Sequence, residues 1–456
     1  MVAGGAKFFA KQPSTFSRHA LEGAKEGGDA RVLPQGWRGQ SRRVGVDILK
    51  IRDAKDVETV VRAAIASEQP LEIIGHGSRR GIGQVMATNA VLDLSALNGV
   101  TSYEPNELII TVEAGAPLAD VLSLIDSKNQ QFAFEPMDTA PLLGSAELGT
   151  VGGMIGTGLA GPRRIKAGGA RDHLLGAHAV SGFGDSFKTG GKVVKNVTGY
   201  DLCKLLAGSF GTLAVMTEVT LKVMPRPESE RTLVLSSLDD LTANRAMTAA
   251  LGSPFDVSAA AHLPPSTPRP SVGGLDRLGS PDGAVTLVRL EGIPASAAHR
   301  AASLAKTLAP FGTAEMLEDA VSAEVWRSIR DVEPFAAKGA LGARPVWRIV
   351  CPPAAGGALG EGLARETGGE VIYDWGGGLI WAALPPKPDA QAALVRSLVN
   401  AAGGHAMLLR ASEEVRRNVD VFHPQAQGVA ALGERVRQSF DPKQILNRGR
   451  MIRGAA

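Results

Sequence analysis

Leu148-Gly149-Thr150-Val151-Gly152-Gly153-Met154-Ile155-Gly156-Thr157-Gly158-Leu159-Ala160-Gly161 sets six glycines among fourteen residues. Glycine at that density removes Cβ atoms where a chain turns tightly or where its backbone must touch a ligand. The run also suits a segment that packs tightly against its neighbours. Roughly 70 residues earlier stands a second such stretch, Gly75-His76-Gly77-Ser78-Arg79-Arg80-Gly81-Ile82-Gly83, directly after the strand expected at 71–75. Successive backbone N–H groups in a glycine-permitted turn can form a concave nest for an anion such as pyrophosphate. An ordinary glycine turn is the alternative. The loop is no Walker A site, since no Gly-Lys-Ser/Thr follows at the required spacing, and Arg80 takes the third glycine position of the Rossmann fingerprint. Two glycine-dense loops, each behind a strand, suit a long dinucleotide threaded between two lobes.

Around these loops strands and helices mix. Residues 47–51 read as a strand, and Asp53 as the cap of a helix from Ala54 with Val57, Val60, Val61, Ala64 and Ile65 on one face. Further strands are expected at 90–95, 107–115 and 131–135, and a helix from Pro117 carries Leu118, Val121, Leu122 and Ile125. Residues 174–181 and 185–189 predict a strand pair turned by Gly182-Phe183-Gly184. Residues 213–223 alternate strictly, the mark of a half-buried strand, and stop at Pro225 and Pro227, a domain boundary. Beyond it, strands at 231–237, 284–292, 345–352, 370–384 and 405–410 interleave with helices at 295–309, 388–402 and 429–440. That order predicts a layered sheet with helices on one face. The Pro/Gly-rich stretch 263–283 reads as a loop.

A chain of 456 residues has room for two or three domains. Its 44% hydrophobic and 21% charged residues fit a globular protein, and a net charge of +3 is too small to argue for nucleic acid or an anionic membrane. Cys203 and Cys351 stand outside any CxxC or metal-ligand spacing, so no iron–sulfur or zinc site is expected in this chain. A reducing compartment is the simple reading. No apolar run reaches the roughly 18 residues of a membrane span. Residues 1–43 carry eight Lys/Arg against three Asp/Glu without an apolar core, so no secretory signal is expected there.

Five motifs occur in order: Phe134-Glu135-Pro136-Met137-Asp138, Gly149-Thr150-Val151-Gly152-Gly153, Ala160-Gly161-Pro162-Arg163-Arg164, Val194-Lys195-Asn196-Val197-Thr198-Gly199-Tyr200-Asp201-Leu202 and Gly208-Ser209-Phe210-Gly211-Thr212-Leu213. Two more close the chain, Val421-Phe422-His423-Pro424 and Phe440-Asp441-Pro442 with Leu446-Asn447-Arg448-Gly449-Arg450-Met451. Together they resemble the FAD-binding (E) subunit of bacterial glycolate oxidase, or glycolate dehydrogenase, within the p-cresol-methylhydroxylase-type flavoproteins. The resemblance implies an α+β protein. A two-lobed FAD-binding domain would span 44–227 and an α+β cap domain 228–440, with segment 441–456 returning toward the first domain and 1–43 a basic, poorly ordered extension.

It also implies FAD, with its pyrophosphate on Gly75, His76, Gly77, Ser78 and Arg79. Gly149, Thr150, Gly152, Gly153, Thr157, Gly158 and Gly161 would line the ribityl chain and flavin. Gly208, Ser209, Gly211 and Val215 would hold the adenosine side or the far pyrophosphate edge, and Pro136 and Gly199 belong to the same set. Covalently linked members place a histidine directly before the serine; Gly77 stands there, so the FAD is expected to be non-covalent. Arg163 and Arg171 are candidates for positive charge near the flavin or a substrate carboxylate. Tyr200 and His423 are further catalytic candidates, each equally readable as a packed or anchoring residue, and Cys203 reads as a core thiol.

The catalytic D-type subunit of such systems carries a Gly-Glu-His-Gly-type motif and paired metal-binding histidines. Here His405 and His423 are isolated and no metal site is expected. Without a base for the hydroxyl proton, hydride transfer from an α-hydroxy acid lacks its partner. The resemblance therefore implies an FAD-binding subunit of a multi-subunit glycolate dehydrogenase. It would work with a D-type catalytic flavoprotein and an F-type iron–sulfur subunit, meeting the small 2-hydroxy acid only through them. Its place would be the cytoplasm, or the inner membrane through its partners. The other readings are an autonomous FAD-dependent 2-hydroxy-acid dehydrogenase using Arg163 or Arg171 on the carboxylate, and a non-catalytic assembly scaffold.

Overall fold

The computed structural model describes residues 47–191, 200–269, 276, 278 and 283–453. The 1–43 extension, Gly199 and part of the 263–283 stretch lie outside these residues.

Asp53 starts the first helix, its carboxylate accepting the Asp56 N–H at 2.9 Å. The helix Ala54–Ser67 buries Val57, Val60, Val61 and Ala64 in one core with a parallel three-stranded sheet. That sheet comprises β1 (Asp47–Lys50), β2 (Leu71–Ile74) and β3 (Ala90–Asp93), in the order β1-β3-β2. A second lobe is built on β4 (Val100–Glu104), β5 (Ile109–Glu113), β7 (Leu174–Ser181), β8 (Ser186–Gly190) and β9 (Ala214–Lys222), antiparallel in the order β4-β5-β9-β7-β8. The strand expected at 131–135 shortens to β6 (Gln130–Gln131), which pairs with β10 (Met224–Pro225). Strand β4 is a partly exposed edge of mostly polar residues, so it left no apolar alternation to read. Strand β9 is covered on both faces rather than one. Val215 belongs to the first lobe's core, while Ala214 and Met216 pack with the second. The glycine run is not all loop either. Residues Val151–Thr157 form a helix whose cap, Thr150 Oγ1, accepts the Gly153 N–H at 3.3 Å.

The rest of the chain folds on an eight-stranded antiparallel sheet. Its strands are β11 (Ser229–Ser236), β12 (Val257–Leu263), β13 (Val285–Gly292), β14 (Ala314–Glu318), β15 (Val346–Val350), β16 (Glu370–Asp374), β17 (Leu379–Ala383) and β18 (His405–Arg410). They run in the order β14-β11-β13-β12-β16-β17-β15-β18. Alternation along β11 divides the faces: Leu233 and Leu235 join the helices Asp240–Leu251 and Pro294–Leu308. Val234 faces the other way, in a core shared with Ile82, Met137, Leu142 and Leu159 of the first domain. The expectation of helices on one face needs one correction. The helix Asp319–Arg330 places Val325, Trp326 and Ile329 on the face turned toward the first domain.

The chain's last stretch returns to the first lobe. Gly182 N–H donates to Phe440 O at 2.8 Å, and Asp441 accepts from the backbone of Ile445 and Leu446 at 3.0 and 2.8 Å. Leu446 then bridges to Leu71.

Candidate cofactor site

Where β2 ends, the chain turns through the 75–80 loop along an open cavity between the two lobes. Ile73, Ile74, the loop and Leu94 supply the first lobe's wall. Ala114, the helix Val151–Thr157 and Ala214 and Met216 of β9 supply the second's, and Asn447 and Arg450 line it from the far C-terminal segment.

The loop leaves its donors free. Arg80 N–H reaches Gly77 O at 3.2 Å and Ile82 N–H reaches Arg79 O at 3.0 Å, but His76, Gly77, Ser78 and Arg79 donate no backbone hydrogen bond among the described residues. Gly77 holds φ at +71°, a conformation that glycine adopts without penalty. Four successive unbonded N–H groups are the makings of an anion nest. Arg79 adds charge: among the described residues its buried guanidinium has no ion-pair partner and its Nε no acceptor, and burial draws it down to about 10 against the pull of Asp138. Arg450 is drawn down to about 10 by burial as well, and donates to Arg79 O and Arg80 O at 3.3 and 3.4 Å. Arg80 is neutralised by Glu72. A buried guanidinium without a carboxylate carries a desolvation cost that an anionic ligand would offset.

The helix at 151–157 plays a different part. Val151 and Gly152 donate to Ala116 O and Ala114 O at 3.0 and 2.7 Å, and Gly153 donates to its cap, so this end has no free donor for a phosphate. What it offers is close approach. A Cβ on Gly153 would lie 3.2 Å from Arg79 Nη1, and one on Gly156 would meet nothing within 4 Å. A row of free donors, an unpaired buried cation and a helix face stripped of side chains fit a dinucleotide such as FAD.

Of the residues singled out from the sequence, Gly75, His76, Gly77, Ser78, Arg79, Thr150, Gly152, Gly153, Thr157 and Gly211 line this cavity. His76 Nδ1 also sits 2.8 Å from Glu147. The others stand behind it or elsewhere. Gly149, at φ +92°, backs onto Ser78, and a Cβ on Gly158 would lie 3.4 Å from Gly208 Cα. Pro136 bridges to Ala160, Gly161 packs under Arg330 and Glu135, and Ser209 Oγ bonds Leu206 O at 2.8 Å. Arg163 is consumed by structure: it grips Glu291 through Nε and Nη2 at 3.0 and 2.6 Å and Gln131 through Nη1 at 3.1 Å. Arg171 is exposed, and Tyr200 is 92% exposed. His423 belongs to the cap, bonding Ala406 N at 3.1 Å and Asn400 at 2.9 Å, and Cys203 is a buried free thiol.

The FAD binding domain family matches residues 48–190, the stretch that holds both glycine segments. The glycolate oxidase subunit GlcE of Escherichia coli is 31% identical over 396 residues, covering 86% of this chain and 95% of that one. The chain belongs to the GlcE family. GlcD of Bacillus subtilis is 32% identical over 190 residues, which is 41% of this chain and 38% of its own. A solved 4-ethylphenol oxidase from Gulosibacter chungangensis superposes with a TM-score of 0.65 at 14% identity, over 89% of this chain and 88% of that one. An alkyldihydroxyacetonephosphate synthase does so with a TM-score of 0.62 over 88% and 76%. At such identities these likenesses speak for the fold alone, and the fold is the two-lobed FAD-binding domain with an α+β cap.

Several cavity residues of this GlcE-family chain escaped the sequence reading. Val215 was expected at the site, but its neighbours Ala214 and Met216 line it. A strand's side chains alternate faces, and Val215 turns into the first lobe's core instead. Asn447 bridges the lobes, accepting from Ile73 N at 2.8 Å and donating to Phe210 O at 2.7 Å. It and Arg450 sit in a quoted C-terminal motif, and that motif was the signal for them.

Proposed function

We propose that this chain is the FAD-carrying E-type subunit of a multi-subunit glycolate dehydrogenase, passing electrons between a D-type catalytic flavoprotein and an iron–sulfur partner. The observation that carries the reading is extent. The likeness to GlcE runs through 86% of the chain, cap included, whereas that to GlcD covers 41%. Bound FAD would supply electron-transfer chemistry. The chain's own part is binding: the N–H groups of residues 76–79 and Arg79 would take the pyrophosphate, with Arg450 fixing the loop from behind. Gly153 and Gly156 would let backbone approach the flavin-bearing end, and Leu94, Phe210 and Met216 would keep water from it. In this reading residues 44–227 are the cofactor domain, 228–440 the cap, and 441–456 the returning segment that completes the site.

No cluster of three metal-binding side chains occurs among the described residues. No helix there is long and apolar enough to cross a membrane, so a station at the inner membrane would depend on other subunits. The test is the visible spectrum of the purified chain, taken anaerobically before and after glycolate. Flavin bands that persist with glycolate and bleach once the D-type subunit is added are expected. Bleaching by the chain alone would favour the autonomous dehydrogenase, and absence of flavin bands would overturn the cofactor assignment.

A further inference from the structure

Trp375 is the focus of an arrangement that the cofactor cavity does not use. Its backbone sits at φ +54°, followed by Gly376 at +64° and Gly377 at +96°. A bulky residue in the left-handed region is an outlier, and such strain gathers at ligand clamps and functional sites. The surroundings hold the ring in place: the indole Nε1–H donates to Gly161 O at 3.1 Å, and the Asp374 carboxylate accepts the Trp375 N–H at 2.7 Å. Arg164 and Arg348 both approach this one ring, their guanidinium carbons 4.6 and 5.2 Å from its centre.

Neither arginine has an ion pair or a side-chain hydrogen bond among the described residues. The contrast with the preceding residue is sharp, since Arg163 is held by Glu291 and Glu135. Burial and the nearby Arg164 charge pull Arg348 down to about 10, with Asp374 opposing them. Burial together with Arg348, His423 and Arg164 also lowers His405, which leaves a neutral imidazole at the edge of the same field. Arg164 and His405 are exposed, so the group opens to solvent.

Two guanidinium groups set around one indole ring, neither in an ion pair among the described residues, make a receptor for a small anion with planar oxygens. We propose that Arg164 and Arg348, set around Trp375, bind the carboxylate of a small organic acid at the seam between cap sheet and cofactor domain. Trp375 ties this seam to Gly161 O, four positions along the chain from the cavity residue Thr157. The choice of glycolate and glyoxylate as ligands rests on the proposed function; the charge argument does not.

The test is titration of the purified, flavin-loaded chain with glycolate and, separately, glyoxylate, read by calorimetry and by tryptophan emission, with chloride at equal ionic strength as control. Saturable binding of one or both acids is expected, weakened about tenfold or more in Arg164→Ala and in Arg348→Met, with flavin absorbance unchanged. Which acid binds more tightly separates a substrate-side from a product-side role. Arg164 is exposed, so its variant keeps the test decisive if Arg348→Met does not fold. No saturable binding by the wild type, or equal binding by Arg164→Ala and wild type, would overturn the site. A colourless chain that still binds the acids would sink the FAD reading alone, and a yellow chain that binds neither would sink this inference alone.

Discussion

Glu135→Gln isolates one charge at the centre of the domain seam. Glu135 accepts from Arg289 Nη1 and Nη2 at 2.8 and 3.0 Å and from the Arg163 N–H at 2.6 Å. Burial works against its ionisation, but Arg289 and Arg163 prevail and hold the carboxyl down at about 2, from an ordinary 4.5. At about 1.4 kcal/mol per pH unit, that gap amounts to about 3 kcal/mol, within reach of what breaking a buried ion pair typically costs. Glutamine keeps the shape and the left-handed backbone at this position, so the change reads charge. The sign follows from a depressed carboxyl: its contribution is complete above about pH 4.5 and is lost as pH falls toward 2. Urea unfolding followed by tryptophan emission is a suitable assay, because Trp326 lies under Arg289 and Trp375 bonds the first domain. The variant should be less stable by about 3 kcal/mol at pH 7 and by less than half of that at pH 3. A difference below about 1 kcal/mol at pH 7, or one that is equal at both pH values, would refute the reasoning.

Gly156→Ala should raise the stability of the cofactor-free chain by up to about 1 kcal/mol, since alanine suits a helix better, while lowering flavin retention; melting of the apo chain and the flavin-to-protein absorbance ratio check both halves. Asp374→Asn tests the opposite kind of carboxyl. Burial pushes Asp374 up to about 7, so its protonated form favours the fold below about pH 4 and that gain disappears as pH rises through 7. The asparagine variant should match wild type at pH 4 and be the more stable of the two at pH 8, by up to about 4 kcal/mol; thermal melts at the two pH values decide. Asn447→Ala removes both bonds that tie the lobes and leaves the buried-side Ile73 N–H without its acceptor, which should cost about 2 kcal/mol in urea melts and speed flavin release.

The sequence was most readable where one rule acts alone. Asp53 caps its helix as its type and place suggest, and the strand at 405–410 appears as β18 over His405–Arg410. It was least readable where tertiary contact overrides pattern. The segment 257–263 is rich in alanine, which marks no strand, yet it is the fully buried β12, covered on both faces by neighbours far along the chain. The glycine run between 148 and 161 announced contact with a ligand but not which of its residues make it. Gly153 and Gly156 face the cavity, while Gly161 makes room for Glu135 and Arg330. That division depends on where a helix begins, and Thr150 sets it there. Arg163 was legible as a positive charge and illegible as a neutralised one, because Glu291 lies 128 positions away in the chain.

Arg163 and Arg164 show how one seam can be both rigid and receptive. Arg163 joins Glu135, Arg289 and Glu291 in a closed group in which each charge answers another, so the seam's geometry is fixed without any ligand. Had Arg164 joined that group, Arg348 of the cap would meet Trp375 alone. Instead it turns to Trp375, together with Arg348 from β15. A charge left open beside a closed group does little for stability, because burial without a partner costs free energy. Its use lies in what it attracts. The closed group holds cap and cofactor domain in register, and the open pair gives that register a purpose at the same seam, where Trp375 is tied to Gly161 O.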